Sequence, residues 1–491
     1  SFSNSFKMNY KDISQSDFSL DYTTGFSGEI FDVVEPATGK VLGSINAATT
    51  EEANKVIEHC KKAQPEWATS TFEVRAGILR KFAKALEDNA ELIHTWNARE
   101  CGSIRPKSEW ELQACIEQSH TAASLAQAPS GELYPSTMPT RKNMRVRIPV
   151  GVVGVIAPWN FPLLLSLRAV LPALAMGNTV VLKPDPQSYF TGGVIIQELM
   201  KIAGLPDGVL GLLPGGAEPG QAVVEHPATG MIAFTGSTAV GRSIAQHCAK
   251  TFKKTSLELG GNNAFIVLED ADITSAASCA AWGAFLHQGQ ICMQSGRHIV
   301  HEDIADAYIE ALAQRANNLH VGNPFTEQCH LGPLINLSQA EKVQALIDAS
   351  VAMGAEVVTG GKAQGQFVRP TVLKNVTPDM PIFTQEIFGP VAPIVTFKTE
   401  QEAIELANAT ELGLSASIHT ANSAKGEYMA GLIEAGMVHV NDQTVNNEYH
   451  IPFGGLKDSG DAGRIGGPVN LEEFTHSKWI SVMPQGIQYP F

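Results

Sequence analysis

The sequence has no Lys/Arg-rich run, no uninterrupted apolar stretch of bilayer-spanning length, no Cys-x-x-Cys pair and no Gly-x-Gly-x-x-Gly turn. Each absence removes a class of function. With a net charge of −15 and no basic run, nucleic acid and anionic membrane surfaces are poor partners. The most apolar region, Val150 to Leu182, contains Asn160, Arg168, Asn178 and several prolines and glycines, which interrupt every window long enough to span a bilayer. Ser1 to Ser19 is polar and aromatic, without the apolar core of a secretory signal. Cysteine is sparse: Cys60, Cys101, Cys115, Cys248, Cys279, Cys292 and Cys329 form an odd, irregular set. That set points to reduced thiols in the cytoplasm rather than to disulfides or structural zinc, and without a Cys/His cluster no metal site is expected.

What is present describes a globular α/β chain. Its 491 residues suggest two or three domains, and 44% hydrophobic with 17% charged residues is the balance of a folded enzyme. Thr49-Thr50-Glu51-Glu52 has the spacing of a helix capping box, and helical periodicity runs from Phe72 to Glu100. Short apolar runs at Val152–Ala157, Thr179–Leu182, Val209–Leu213 and Met231–Phe234 are separated by segments long enough for crossover helices, which predicts a parallel sheet covered on both faces. A second α/β region begins near Gly261, with a strand at Ala264–Leu268, a helix from about Ile273 to His287 and a strand at His298–His301. Trp479–Val482 is also strand-like.

Chemistry concentrates at Cys292, in Gly289-Gln290-Ile291-Cys292, and at Glu258, in Glu258-Leu259-Gly260-Gly261. A thiolate attacks carbonyl carbon and a carboxylate activates water, so the pair supports capture and hydrolytic release. Asn160, set between an apolar strand and a helix start, carries two amide donors that an oxyanion could use; the other reading is that it caps the following helix. Gly236-Ser237-Thr238-Ala239-Val240-Gly241 forms a strand-to-helix turn able to hold a phosphate, and Lys183 ends another strand of the same sheet, where ligand hydroxyls are met.

Six strings occur in one order: Pro158-Trp159-Asn160-Phe161-Pro162, Leu182-Lys183-Pro184, Phe234-Thr235-Gly236-Ser237 with Gly241, the Glu258 and Cys292 segments, and Glu386-Ile387-Phe388-Gly389-Pro390. Together they make the chain resemble the NAD(P)-dependent aldehyde dehydrogenase superfamily from about residue 30 onward. Trp282–Gln290, His439–Gln443 and the closing Tyr489-Pro490-Phe491 resemble its aromatic aldehyde branch.

The resemblance implies a Rossmann-type cofactor domain (1–125 and 149–260), an α/β catalytic domain (261–455) and a small β oligomerisation element (126–148 and 468–491). It implies Cys292 as nucleophile, Glu258 as base, and Asn160 with the Cys292 amide as oxyanion site. Trp159, Lys183, Asp185, Gly236, Ser237, Gly241, Glu386 and Phe388 would bind the cofactor, with Glu386 on the nicotinamide ribose. Phe161, Leu164, Ile291, Met293 and Phe453 are expected to line an apolar substrate tunnel. The expected substrate is a small aromatic aldehyde, with an aliphatic aldehyde or semialdehyde as the alternative, and a homo-oligomer is expected. A cofactor-free cysteine hydrolase would leave Lys183 and Glu386 unexplained, and a non-catalytic scaffold would not need the Cys, Glu, Asn and Lys set.

The chain departs from the family pattern in two places. Pro186 stands where many NAD-preferring members have a ribose-binding Glu, beside Asp185, so NAD is expected with NADP possible. Ile465 stands where the common form has a Glu, after an extra residue before Gly463-Arg464.

Overall fold

The computed structural model describes residues 10–461 and 463–491. Five strands form a wholly parallel sheet, in spatial order Leu210–Leu212, Thr179–Pro184, Val152–Ala157, Thr229–Thr235 and Lys254–Glu258. The expected apolar runs are its strands, and their near-continuous burial is what a sheet covered on both faces requires. The chain begins this sheet at the centre, adds two strands on one side and then two on the other. Order reverses between Val152–Ala157 and Thr229–Thr235, so the carboxyl ends of these neighbours flank a switch-point crevice. Pro158-Trp159-Asn160 leaves one of those ends and Gly236-Ser237 the other.

A second sheet of seven strands runs Glu356–Thr359, Thr371–Lys374, Val391–Phe397, Ser295–His301, Asn263–Val267, Ser415–His419 and Met437–Val440. It is parallel except at its first pair. Only Leu259–Asn262 separates the last strand of one sheet from the first-formed strand of the other, so Glu258 and the Cys292 loop approach the same region from two sheets. A third, antiparallel sheet pairs Lys142–Pro149 with both Gly131–Tyr134 and Thr475–Val482.

Local signals explain several boundaries. The capping box closes as expected: the Glu52 amide donates to Thr49 Oγ1 and the Thr49 amide to Glu52 Oε1. The helix expected from Ile273 to His287 ends earlier, at Phe285. His287, Gln288 and Gly289 take φ of 50°, 60° and 71°, a left-handed turn that no continuing helix permits. Only glycine fits at the last of these, because a Cβ there would lie 2.2 Å from the Gly389 carbonyl oxygen. This turn delivers Cys292 from the helix into the space between the sheets. Among the described residues, no helix is long and apolar enough to cross a membrane.

Candidate active site

Cys292 lies at a cavity of about 400 Å³. All five residues expected to line an apolar tunnel, Phe161, Leu164, Ile291, Met293 and Phe453, face this cavity together with Asn160. Trp110, Trp282 and Leu286 widen its apolar wall, and Lys107, Arg168 and Asn446 supply its polar points. The Phe161 ring is fixed edge-on to Trp110 at 6.0 Å and to His287 at 5.5 Å between centroids.

The loop carrying the thiol is tied down by side-chain amides. Asn263 Nδ2 donates to the carbonyls of Cys292 (2.8 Å) and Gln294 (2.7 Å), while its Oδ1 accepts from the Ser415 amide. Asn160 Nδ2 donates to the Gln290 carbonyl at 3.0 Å. This uses one of its two amide hydrogens, leaving the other for a ligand. Asn160 does not cap the helix that follows: the cap position of Pro162–Ala175 is Phe161, and it makes no side-chain cap bond. Burial pushes the Cys292 thiol up to about 12, opposed chiefly by the positive charge of Arg168.

Glu258 ends the edge strand of the five-stranded sheet and is 4% exposed, and among the described residues neither carboxylate oxygen has a hydrogen-bond partner. Burial raises its pKa to about 8, with Arg168 pulling the other way. It shares a small cavity with Arg168, Thr235, Ser256 and Ile465. Ile465 is 3% exposed, so where the family pattern has a carboxylate this chain has an apolar wall.

Arg168 is a buried charge at the site that the sequence motifs do not mark. It lines both cavities, donates from Nη2 to Thr235 Oγ1 at 3.1 Å and stacks its guanidinium 4.6 Å from the Phe453 ring centroid. A charged residue in a helix all of whose residues are buried was the available signal.

Trp159, Lys183, Asp185, Gly236 and Ser237 stand at the carboxyl ends of strands of the five-stranded sheet, with Glu386 at the Gly261 amide and Phe388 against Trp159. Ser237 caps the helix Thr238–Ala249, whose first amides precede any intrahelical bond and so suit a pyrophosphate. The buried Lys183 ammonium donates to the carbonyls of Pro184 (3.1 Å) and Gly215 (3.0 Å) at the end of its strand. Glu386 Oε2 accepts from the Gly261 amide at 2.6 Å, and burial raises its pKa to about 7. A Cβ on Gly260 would come 2.6 Å from that same oxygen. Trp159 and Phe388 meet edge to face at 5.7 Å. Helix amides after one strand and an ammonium at the end of another strand of the same sheet, with a carboxylate held at Gly261, are groups that suit a dinucleotide with hydroxyl-bearing riboses.

Gly241 lies in the first turn of the helix Thr238–Ala249, where a Cβ would fall 2.3 Å from Leu259 Cδ2, so its absence lets the helix pack on the chain beneath. Asp185 caps the short Pro186–Ser188 turn, with Oδ1 accepting from the amide (2.8 Å) and side chain (3.2 Å) of Gln187.

The aldehyde dehydrogenase family pattern matches residues 22–480. A benzaldehyde dehydrogenase [NAD(+)] of Pseudomonas putida is 53% identical over 94% of this chain and 95% of its own. A vanillin dehydrogenase of an Amycolatopsis species is 47% identical over 94% of each. The crystal structure of a salicylaldehyde dehydrogenase from Pseudomonas putida G7, complexed with salicylaldehyde, superposes with a TM-score of 0.91 at 36% identity, covering 94% of this chain and 96% of that one. The chain belongs to the aldehyde dehydrogenase family.

Proposed function

We propose that the protein oxidises an aromatic aldehyde to its carboxylic acid with NAD, using Cys292 as nucleophile, Asn160 as oxyanion donor and Glu258 as general base. The observation that carries this reading is one aromatic-walled cavity holding Cys292 and Asn160, with the unpartnered carboxylate of Glu258 at the adjoining cavity. Relatives named for benzaldehyde, vanillin and salicylaldehyde support the substrate class.

Lys183, the Ser237 turn, Glu386, Trp159 and Phe388 would hold the dinucleotide. When bound, NAD supplies the acceptor for the hydride that leaves the aldehyde carbon. Cys292 gives up its thiol proton to water, its Sγ bonds to the carbonyl carbon, and the free hydrogen of Asn160 Nδ2, with the Cys292 amide, holds the oxygen as it becomes negative. Tying Asn160 to the Gln290 carbonyl fixes that donor before reaction. Glu258 takes a proton from the water that cleaves the Cys292 thioester, and its raised pKa makes it a stronger base than an exposed carboxylate.

The three sheets support a division into a cofactor region (1–125 and 149–260), a catalytic region (261–455) and an oligomerisation element (126–148 and 468–491), of which residues 1–9 lie outside the described residues. Exposed Leu133, Tyr134 and Trp479 on the antiparallel sheet support a homo-oligomer, and free cysteines support a cytoplasmic setting.

The test is reduced-nicotinamide absorbance across a panel of aromatic and aliphatic aldehydes. Higher kcat/KM for benzaldehyde and its hydroxylated relatives is expected. A clear preference for short aliphatic aldehydes would overturn the substrate class.

A further inference from the structure

The helix that follows Asn160 cannot cap itself. It opens with Pro162, which has no amide hydrogen, its cap residue is Phe161, and its first intrahelical bond runs from the Leu165 amide to the Phe161 carbonyl. The amides of Leu163 and Leu164 are therefore left to find a partner from elsewhere in a region where every residue of the helix is buried. Both find Glu111. Its Oε2 accepts from the Leu163 amide at 2.9 Å and from the Leu164 amide at 3.1 Å.

Glu111 comes from a different helix, Arg105–Ala126, and is itself fully determined. Its other oxygen accepts from Lys107 Nζ and Asn97 Nδ2, both at 2.8 Å. Lys107 and Glu111 are a completely buried ion pair, 0% exposed on both sides. Lys107 also donates to Ser103 Oγ at 3.1 Å and places its ammonium 4.3 Å from the centroid of the Phe161 ring, on the wall of the substrate cavity. A carboxylate at a helix N-terminus is favoured by the helix dipole, and burial strengthens that preference. The turn Asn160-Phe161-Pro162 is thus gripped at three points: Asn160 at the Gln290 carbonyl, the Phe161 ring by Lys107, and the first helical turn by Glu111.

We propose that Glu111 is a positioning residue for the reaction: by binding the two free amides at the start of this helix, with Lys107 balancing its charge, it aims the Asn160 amide at the carbonyl oxygen of the aldehyde. The inference rests on the reading of Asn160 as oxyanion donor. Glu111 touches no reacting atom. It acts through the placement of one that does, and displacement of a donor by about 1 Å is enough to cost a hundredfold in rate.

Two variants test it, Glu111→Met and the neutral pair Lys107→Met with Glu111→Met, because a Gln would keep an oxygen for the Leu163 and Leu164 amides. The pair preserves shape without leaving a lone buried charge, so it reports even where the single variant folds poorly. Each is made in the wild-type and in the Asn160→Ala background, and kcat and both KM values are measured. In the wild-type background kcat is expected to fall about tenfold to a hundredfold with the KM for NAD unchanged. In the Asn160→Ala background the same changes are expected to cost less than about twofold, because the group they position is already gone. An undiminished kcat in the neutral pair, or an equal fall in both backgrounds, would overturn the proposal. Wild-type turnover in Asn160→Ala alone would overturn the oxyanion reading and this inference with it, whereas an impaired Asn160→Ala beside a fully active neutral pair would overturn this inference only.

Discussion

The carboxylate of Glu258 and the guanidinium of Arg168 are buried at one small cavity without a hydrogen bond between them. Arg168 also borders the Cys292 cavity, so one fixed cation lowers the cost of negative charge on both groups. A direct ion pair would hold Glu258 as an inert carboxylate. Separation leaves it stabilised yet basic.

Arg168→Met is therefore expected to shift the pH dependence of thioester release upward. Burial places the Glu258 pKa at about 8 with Arg168 opposing, and the base works only when deprotonated, so activity rises with pH through that value. Removing the cation disfavours the charged form and moves the rising limb to higher pH. Alkylation of Cys292 by iodoacetamide in the cofactor-free enzyme should slow at fixed pH for the same reason. A pH profile of kcat for both proteins, with the alkylation rate, checks the pair of effects; an unmoved limb would remove Arg168 from the mechanism.

Cys292→Ala should abolish oxidation and leave NAD binding intact. The crevice residues Lys183, Ser237 and Glu386 make their bonds to other chain atoms, not to the thiol. Titration of NAD by protein fluorescence should give an unchanged Kd. Residual turnover near the wild-type rate would require a different nucleophile.

Glu258→Gln should release one equivalent of reduced cofactor per site and then stall, because hydride leaves before the thioester needs activated water. Stopped-flow absorbance reads the burst and the slow phase after it. Folding should not suffer: the wild-type carboxylate oxygens accept no hydrogen bond, and the amide removes a buried charge. Undiminished steady-state turnover would assign the base elsewhere.

The parallel sheet was legible because its strands are short apolar runs bounded by polar turns, and Thr49 and Glu52 announce their helix by spacing alone. Cys292, Glu258 and Asn160 were legible because their neighbours are glycine, proline and aromatic residues in a recognisable order. Residues acting across long sequence distances were not. Arg168 reads as a charge interrupting an apolar run, and only the burial of its helix between two cavities gives it a role. Glu111 sits in an ordinary polar helix until the fold brings the Leu163 amide to it. The helix expected from Ile273 overruns its true end because His287 and Gln288 stand in an apolar, helix-compatible stretch, where a non-glycine residue at positive φ is uncommon.

Cofactor choice turns on Asp185, and here the geometry favours one outcome. A ribose-binding carboxylate must be free to accept from two hydroxyls, and it rejects NADP by repelling the 2′-phosphate. Asp185 instead caps the Pro186–Ser188 turn, with Oδ1 engaged by Gln187. It stands beside Lys183, whose buried ammonium would attract a phosphate as readily as hydroxyls. The protein is accordingly expected to prefer NAD while using NADP measurably. Asp185→Asn retains an oxygen able to accept from the Gln187 amide, so it should hold the turn and change the NADP to NAD ratio of kcat/KM by less than about threefold, whereas loss of a direct phosphate-repelling contact would change it by tenfold or more, about 1.4 kcal/mol. Measured kcat/KM values for both cofactors in the two proteins decide the matter. A wild type that rejects NADP, with an Asp185→Asn variant that accepts it, would show that Asp185 has taken over the work of the missing Glu despite its bonds within the turn.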